Sequence, residues 1–238
     1  KRVLRDDGTV WLNLGDSYAA GSNNKPNTGI LKIQAHHQDA MLRNITRQIP
    51  SGLKPKDLVG IPWRVAFALQ ADGWYLRQDI IWAKPNPMPE SVKDRCTKSH
   101  EYIFLLTKSA SYYYDNEAVK EEASGLRGGV PLKIQHSRHG DAGLSNGWEG
   151  SVTRNRRSVW TITTKPFKEA HFATFPPEIP EICIKAGSRV GDTILDPFMG
   201  SGTTGLVAEK LQRNFVGIEL NPEYLKMAKD RIYNVAPR

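Results

Sequence analysis

One segment of the sequence combines residue types and spacing that indicate chemistry, Asp196-Pro-Phe-Met-Gly-Ser-Gly-Thr-Thr-Gly205. Its last six residues match the pattern GxGxxG, after a predicted strand and at the start of a predicted helix. Glycines let a ligand approach the backbone, and the amino terminus of a helix offers N–H groups to an anion. Glu219 ends the next predicted strand, where a carboxylate can accept hydrogen bonds from ribose hydroxyls. The spacing therefore predicts a site for a cofactor that contains adenosine.

Asp196 distinguishes between the cofactors that are bound by such a pattern. GxGxxG alone is typical of sites for nicotinamide or flavin dinucleotides. A carboxylate at Asp196 would repel the pyrophosphate of a dinucleotide. S-adenosylmethionine carries an ammonium group, a carboxylate, a sulfonium and a ribose, which match Asp196, the helix terminus and Glu219. The alternative that the glycines serve only the packing of helix against strand explains the glycines but not Glu219.

Predicted strands and helices alternate around this segment. It follows a strand over 193–196, and a helix then runs to Leu211 and leads to a strand over 215–219. A helix from Phe175 to Ile184 precedes these elements, and a helix over 222–232 follows them. Upstream, the order is strand, helix, strand and strand, over 9–14, 56–72, 74–82 and 100–108. This alternation predicts an α/β protein with a parallel sheet.

Composition and charge indicate a globular protein with a polyanionic partner. Of the 238 residues, 39% are hydrophobic and 24% are charged, which excludes collagen-like, coiled-coil and largely disordered proteins. The formal net charge is +8 and the isoelectric point is about 9.4. Basic residues cluster in the polar stretch 25–56 and at Arg154, Arg156 and Arg157. This excess favours nucleic acid as a partner.

Nothing in the sequence indicates a membrane, secretion or a metal. No apolar run reaches the roughly 18 residues that span a bilayer, and the first residues lack the apolar core of a signal peptide. We therefore expect a cytoplasmic protein. Cys96 and Cys183 form no CxxC motif. No cysteine or acidic cluster complements the histidine pairs His36 and His37 or His136 and His139, so we expect no metal site.

The segment that begins at Asp196 resembles the cofactor motif of the amino-methylating DNA methyltransferases, which modify N6 of adenine or N4 of cytosine. Other segments resemble the permuted beta-type group of that family, in which the cofactor motif comes last. In the order of the family, these segments are 8–15, 79–89, 100–114, 171–176 and 216–224. The resemblance covers nearly the whole chain.

The resemblance implies a Rossmann-like methyltransferase sheet, mostly parallel with one antiparallel strand, in permuted order and with a loop-rich lobe. It divides the chain into a target-base half over 1–115, a target-recognition lobe over 116–160 and a cofactor-binding half over 161–238. The basic stretch 25–56 is an insertion in the first half. Double-stranded DNA is the implied substrate, a homodimer is a form common in the group, and the source is bacterial, archaeal or a phage. A restriction-modification system is the implied setting.

The resemblance also implies roles for individual residues in binding S-adenosylmethionine. Asp196 would bind the amino group, and Glu219 would bind the ribose. The carboxylate end would be held by Gly200, Ser201, Gly202 and Thr203. Residues expected around the adenine or sulfonium are Phe198, Asn221 and Tyr224, and those expected near the methionine portion are His171 and Phe172. The residues expected to contact DNA are Lys84, Asn86, Arg95, Arg154 and Arg156.

The sequence departs from the family at the catalytic signature, which is an Asp, Asn or Ser followed by Pro-Pro and an aromatic residue. No such tetrapeptide occurs in the 238 residues, and Phe175-Pro-Pro-Glu178 lacks both the polar first residue and the final aromatic. In the family this motif lies upstream of the strand over 9–14. We therefore expect an upstream segment or a second chain to carry it, because without its strand two half-sheets with exposed edges remain.

Three functions follow from these features. The leading one is a site-specific DNA methyltransferase that uses S-adenosylmethionine, with adenine and cytosine both open as the target base. A SAM- and DNA-binding module without turnover is the non-enzymatic alternative, because the catalytic tetrapeptide is absent. A nicotinamide-dependent dehydrogenase is the alternative that GxGxxG alone would allow.

Overall fold

The computed structural model describes residues 1–19, 52–123, 153–165 and 175–235. Eight strands and four α-helices lie in these ranges. The strands are β1 (Thr9–Leu14), β2 (Tyr75–Ala83), β3 (His100–Thr107), β4 (Glu121–Glu122), β5 (Thr153–Arg154), β6 (Val159–Thr161), β7 (Thr193–Asp196) and β8 (Asn214–Gly217). The helices are α1 (Ile61–Ala71), α2 (Glu178–Gly187), α3 (Thr203–Lys210) and α4 (Pro222–Val235). None of the helices in these ranges is long and apolar enough to cross a bilayer.

The larger sheet has four strands in the order β1-β3-β2-β6. Strand β3 is antiparallel to both neighbours, whereas β6 runs parallel to β2. Because β3 lies between two strands and is covered on both faces, its residues Ile103 to Leu106 are all buried and form an unbroken apolar run. The predicted antiparallel strand within an otherwise parallel arrangement is therefore confirmed.

Alternate residues of β3 supply two separate cores. Phe104 and Leu106 point to one face, where they pack against Ala66 of α1. Ile103 points to the opposite face and joins a cluster that includes Ile179 and other residues of β2, β6 and α2. The four-stranded sheet is thus covered by α1 on one face and by α2 on the other.

The smaller sheet consists of β7 and β8, which are parallel and are connected by α3. Its core contains Val207 and Ala208 of α3 with Ile184 of α2, and Phe215 of β8 packs against them. Helix α2 therefore contributes to both cores, through Cys183 to the large sheet and through Ile184 to the small one. Burial of Cys183 raises the pKa of its thiol, which stays protonated and apolar in this position.

The carboxyl end of α2 lies directly against β1. A Cβ atom on Gly187 would lie 2.3 Å from Thr9 Oγ1 and 2.9 Å from Trp11 Nε1, so only glycine permits this approach. Ser188 follows the helix directly, and its carbonyl accepts a hydrogen bond of 2.8 Å from Arg213 Nη2. The end of α2 is therefore the point at which the large sheet, α2 and the turn before β8 meet.

Helix α1 begins five residues later than the sequence suggested. Lys56 and Gly60 have φ values of 73° and 75°, which lie outside the helical region, and the helix starts only at Ile61. Asp16 Oδ1 accepts hydrogen bonds of 3.0 Å from the amides of Gly60 and Ile61. The helix is thus capped by a carboxylate 45 residues away in sequence, a contact that local sequence patterns do not reveal.

Replacing Gly187 by alanine should destabilise the protein, because the added methyl would overlap Thr9 and Trp11. An overpacked contact of this kind costs about 1–3 kcal/mol. Chemical denaturation should show the loss as a lower midpoint at an unchanged slope. Gly15→Ala is the matched control, since its Cβ would meet Glu101 at an ordinary 3.7 Å. Equal stability of the two variants would contradict the tight junction.

Candidate functional site

The candidate site is a loop that connects the carboxyl end of β7 to the amino end of α3. Asp196 ends β7 and pairs in register with Gly217 of β8. The chain then turns through 197–202 and enters α3 after Gly202, whose φ is 81°. A Cβ atom on Gly202 would also lie 2.8 Å from the Cβ of Ala228 in α4. Both the backbone angle and the close approach of α4 therefore require glycine here.

Both oxygens of Asp196 take part in shaping this loop. Oδ1 accepts a hydrogen bond of 3.0 Å from the amide of Phe198, and Oδ2 accepts one of 2.6 Å from the hydroxyl of Thr204. The carboxylate therefore closes the turn after β7 and holds the first turn of α3. Thr204 was not among the predicted site residues. Its position eight residues after Asp196, in the first turn of the helix, is the signal that could have identified it.

Glu219 links the two loops that follow β7 and β8. Its Oε2 accepts a hydrogen bond of 2.9 Å from the amide of Gly200, and its Oε1 accepts one of 2.8 Å from the amide of Asn221. The side chain of Asn221 then accepts a bond of 2.9 Å from the amide of Glu223 and caps α4. The structure thus brings Glu219, Gly200 and Asn221 together, as the sequence predicted.

Arg231 on α4 ties that helix to the same loop. Its Nη1 donates hydrogen bonds to the carbonyl of Ser201 at 2.7 Å, to Ser201 Oγ at 2.8 Å and to Thr203 Oγ1 at 3.4 Å. Ser201 and Thr203 are both buried. Sequence reasoning missed Arg231. Its spacing of three residues from Ala228, which packs on Gly202, puts both on one helical face toward the loop.

Large apolar side chains are exposed immediately after each strand. Phe198, after β7, is 88% exposed, and Leu220, after β8, is 95% exposed. Exposure of this extent in a loop otherwise fixed by hydrogen bonds leaves apolar surface for a ligand. Leu220 was not predicted, although its place next to Glu219 was a usable signal. Tyr224 is partly buried on α4, and the predicted residues His171 and Phe172 lie outside the described residues.

The residues predicted to contact DNA after β2 have partners within the protein. Lys84 forms an ion pair with Glu101, and its Nζ lies 4.3 Å from the centroid of the Trp82 ring. Asn86 donates a hydrogen bond of 3.1 Å to the carbonyl of Thr164 and accepts one of 2.9 Å from its amide. These contacts connect the start of the segment after β2 to β3 and to Thr164. The predicted role of these residues in DNA binding stays a prediction.

Arg95 shows the same pattern. Its Nη1 lies 2.6 Å from Glu90 Oε2, and its guanidinium lies 3.9 Å from the centroid of the Tyr18 ring. The hydrogen bond from Arg95, together with one from the amide of Lys98, lowers the pKa of Glu90 below its usual value. The carboxylate therefore stays ionised, and keeps its bonds to Arg95 and Lys98, to a lower pH than an ordinary glutamate would.

The three arginines of the second basic cluster have unequal surroundings. Glu121 Oε1 lies 2.9 Å from Arg154 Nε and 2.6 Å from Arg157 Nε. Burial raises the pKa of Glu121, but the hydrogen bonds from Arg157 and Arg154 outweigh burial and lower the pKa overall. Arg156 instead donates through Nε to the carbonyl of Val119 at 2.8 Å. Two of the three arginines thus share one carboxylate, whereas Arg156 contacts a backbone carbonyl.

Several predictions fall on parts of the chain that the structure does not describe. The basic insertion 25–56 is described only from residue 52, and the lobe 116–160 only over 116–123 and 153–160. The histidines at positions 36, 37, 136 and 139 lie outside the described residues. Within the described ranges, no group of three His, Cys, Asp or Glu residues is arranged to hold a metal ion.

The sequence is similar to those of known methyltransferases over nearly its whole length. The N6/N4 methyltransferase family, described as DNA methylase, matches residues 1–230. The Type II methyltransferase M.XycI of Xanthomonas campestris pv. cyanopsidis is 51% identical over 232 residues, which cover 98% of this chain and 67% of that protein. The Type II methyltransferase M.SmaI of Serratia marcescens is 50% identical, with 98% and 70% covered.

Solved structures give a matching result for the fold. The complex of M1.HpyAVI with SAM superposes with a TM-score of 0.50 at 26% identity, covering 73% of this chain and 69% of that one. The PvuII DNA methyltransferase, named cytosine-N4-specific, superposes with a TM-score of 0.62 at 19% identity, covering 96% and 64%. At 19% identity the likeness concerns the fold.

Replacing Arg231 by alanine should loosen the loop between β7 and α3. The variant leaves the carbonyl and hydroxyl of Ser201 without their charged donor, a loss of about 1.5–3 kcal/mol in local stability. Amide hydrogen exchange over 199–204 should therefore accelerate by roughly tenfold or more. Lys229→Ala, at an exposed position of the same helix, should leave exchange in this loop unchanged. Equal exchange in the two variants would contradict the positioning role of Arg231.

Proposed function

The chain belongs to the N6/N4 family of DNA methylases, and we propose how its residues serve the reaction. The protein is a site-specific DNA methyltransferase that transfers a methyl group from S-adenosylmethionine to the exocyclic amino group of adenine or cytosine. The predicted family, the Rossmann-like α/β fold and the cofactor are confirmed. Membership of this family removes the dehydrogenase alternative and does not favour a binding module without turnover.

We assign the cofactor to the loop that follows β7. Asp196 would bind the amino group of the methionine portion, because each of its oxygens accepts one hydrogen bond and a carboxylate oxygen can accept two. The amino terminus of α3, with Gly200, Ser201, Gly202 and Thr203, would hold the carboxylate end, since the helix dipole favours negative charge there. The contacts around this loop, which fix it before any ligand binds, support the assignment.

The ribose and the adenine would lie beyond the end of β8. Glu219 would accept hydrogen bonds from the ribose hydroxyls, a role compatible with its bonds to Gly200 and Asn221. Phe198 and Leu220 would pack on the adenine, and their exposure provides the apolar surface that a planar base needs. Asn221 would act mainly by capping α4 and positioning Tyr224 beside the site. His171 and Phe172 are proposed for the methionine portion on the resemblance alone.

The bound cofactor supplies an electrophilic methyl group on its sulfonium. The chain's task is to hold that methyl group in line with the amino nitrogen of a base that has been turned out of the duplex. Asp196 and Glu219 would fix the two ends of the cofactor, and Arg231 would keep the loop between them in place. No residue of the chain is assigned to the base itself, because the tetrapeptide that does so in the family does not occur in these 238 residues.

We propose the residues that contact DNA, and the division of the chain into three functional regions, from the family resemblance and from the positions of the basic residues. Lys84, Asn86 and Arg95 lie in the segment after β2, and Arg154 and Arg156 lie in the basic cluster before β6. Cations in such positions would hold phosphates and position the duplex. We propose 1–115 as the target-base half, 116–160 as the recognition lobe and 161–238 as the cofactor half.

We also propose where the protein acts in the cell and in which oligomeric state. A protein that modifies genomic or phage DNA must share a compartment with it, so we propose that the protein acts in the cytoplasm of the cell. We also propose a homodimer, because the family resemblance includes this form.

Substitution of Asp196 tests the cofactor assignment. Asp196→Ala should weaken the binding of S-adenosylmethionine by roughly tenfold to a hundredfold, because a hydrogen bond to a charged group contributes about 1.5–3 kcal/mol. Asp196→Asn keeps the shape and should also weaken binding, which isolates the charge. Isothermal titration calorimetry measures both affinities. Asp6→Ala, at an exposed carboxylate far from the loop in sequence, is the control, and wild-type affinity in Asp196→Ala would refute the assignment.

Transfer of the methyl group tests the function itself. The 238-residue chain is incubated with methyl-labelled S-adenosylmethionine and double-stranded DNA, with and without a polypeptide that carries the catalytic tetrapeptide of the family. The DNA is then digested to nucleosides. Labelled N6-methyladenine or N4-methylcytosine nucleoside is the expected product when the tetrapeptide is supplied, since it does not occur in these 238 residues. The identity of the nucleoside names the target base. Binding of both cofactor and DNA without any labelled nucleoside would instead support the binding module.

A further inference from the structure

A cleft beside the amino end of β2 has a lining suited to an anion. A binding site there has no part in the methyl transfer proposed above. Its volume is about 380 Å³, within the range of small-molecule sites. The buried residues Leu105 and Val119 contribute apolar surface to it. Among the described residues that line it, none is acidic. Arg77 lies seven residues before Lys84, which follows the carboxyl end of β2, so the cleft is roughly 20 Å along the strand from that segment.

Two guanidinium groups line the cleft, and each is held through its Nε atom. Arg77 Nε donates a hydrogen bond of 3.1 Å to the hydroxyl of Tyr112, and Arg156 Nε donates one of 2.8 Å to the carbonyl of Val119. Bonds at Nε orient each planar group. Among the described residues, none accepts a hydrogen bond from the Nη atoms of either arginine. The arginines are thus positioned before a ligand arrives.

Arg77 and Arg156 differ from the neighbouring arginines because no described carboxylate pairs with them. Arg154 and Arg157, on either side of Arg156, both pair with Glu121. In the part of the chain that the structure describes, no carboxylate lies within 4.0 Å of the guanidinium of Arg77 or Arg156. Two positive charges therefore face one cleft without compensation from described residues.

The remaining polar groups of the cleft are mainly hydrogen-bond donors or amides. Tyr114 lines it, and burial, followed by the neighbouring Tyr112, raises the pKa of its phenol, while Arg156 lowers it less. The phenol is therefore protonated at neutral pH and can donate. Asn116 and Asn155 add exposed carboxamides. An anionic phosphate group, whose acceptor oxygens point in several directions, matches this set better than a planar carboxylate does.

We propose that this cleft binds the phosphate group of a nucleotide through Arg77 and Arg156. A terminal phosphate presents three acceptor oxygens, and a phosphodiester presents two, to the Nη atoms of the two arginines. The volume exceeds that of phosphate alone and accommodates the sugar and base of one nucleotide. The nucleotide is either a unit of a DNA strand or a free nucleotide. Arg156, which the sequence predicted as a DNA contact, would act in this cleft.

Calorimetric titration of the 238-residue chain with thymidine monophosphate tests the site. Its pyrimidine base avoids the site proposed for adenosine, and thymidine is the matched ligand without phosphate. We expect saturable binding of the nucleotide and none of thymidine. Arg77→Gln and Arg156→Gln should each weaken binding at least about tenfold. Arg64→Gln is the control, since Arg64 on α1 is likewise held through Nε, by the carbonyl of Val59 at 2.7 Å.

Absence of saturable binding to the wild-type chain would overturn the proposal, and so would an equal loss in Arg64→Gln. Arg77→Lys guards against a misfolded Arg77→Gln. It keeps the charge but not the two-pronged geometry, and its affinity should fall between the wild type and Arg77→Gln. S-adenosylmethionine should bind Arg77→Gln as it binds the wild type. Loss of nucleotide binding alone therefore separates this site from the cofactor site.

Competition with duplex DNA distinguishes the two sources of the nucleotide. The ring signals of Tyr112 and Tyr114, followed by nuclear magnetic resonance, should shift when thymidine monophosphate binds. A short duplex that reverses this shift identifies the DNA backbone as the occupant, whereas simultaneous binding of both identifies a free nucleotide. Saturable binding that leaves both tyrosine rings unshifted would overturn the placement in this cleft.

Discussion

The hydrogen bonds of the Glu219 carboxylate to the amides of Gly200 and Asn221 are the constraint on which the cofactor site depends. They hold the loop after β7 at a fixed distance from the loop after β8. Because Asp196 closes the first of these loops on Phe198 and Thr204, both carboxylates are in place while the site is formed by the protein alone. A preformed loop pays little ordering entropy when a ligand binds.

Helix packing extends this constraint to the rest of the molecule. In helix α4, Ala228 packs against Gly202 and Arg231 donates a hydrogen bond to Ser201. Helix α4 therefore positions the loop between β7 and α3. Helix α2 shares its buried residues between the core of the four-stranded sheet and the core of the β7–β8 unit. The segment after β2, with Lys84 paired to Glu101, is therefore connected to the cofactor loop through packed elements. Lys84 and Arg95 in that segment pair with carboxylates, whereas no described carboxylate pairs with Arg77 or Arg156.

Sequence patterns predicted the elements whose causes are local. The apolar run of β3 and the turn residues around β7 and α3 produced predictions that the structure confirmed, because burial on both faces and glycine turns leave local signals. The predicted start of α1 was wrong, because the helix is capped by Asp16, which lies 45 residues away in sequence. Arg231, Thr204 and Leu220 were missed. Arg231 acts over 30 residues, and its role arises only when α4 folds back on the loop. The two roles of Asp196 in shaping its own turn were likewise invisible, because side-chain partners are a property of tertiary structure.

We propose that S-adenosylmethionine binds at the carboxyl ends of β7 and β8. Hydrogen exchange of the 238-residue chain with and without S-adenosylmethionine tests it most directly, because it reports the site without any substitution. We expect slower exchange in peptides that contain residues 196–204 and 217–221, with little change in those from β2 and β3. Saturable binding that protects other segments and leaves these two peptides unchanged would contradict it.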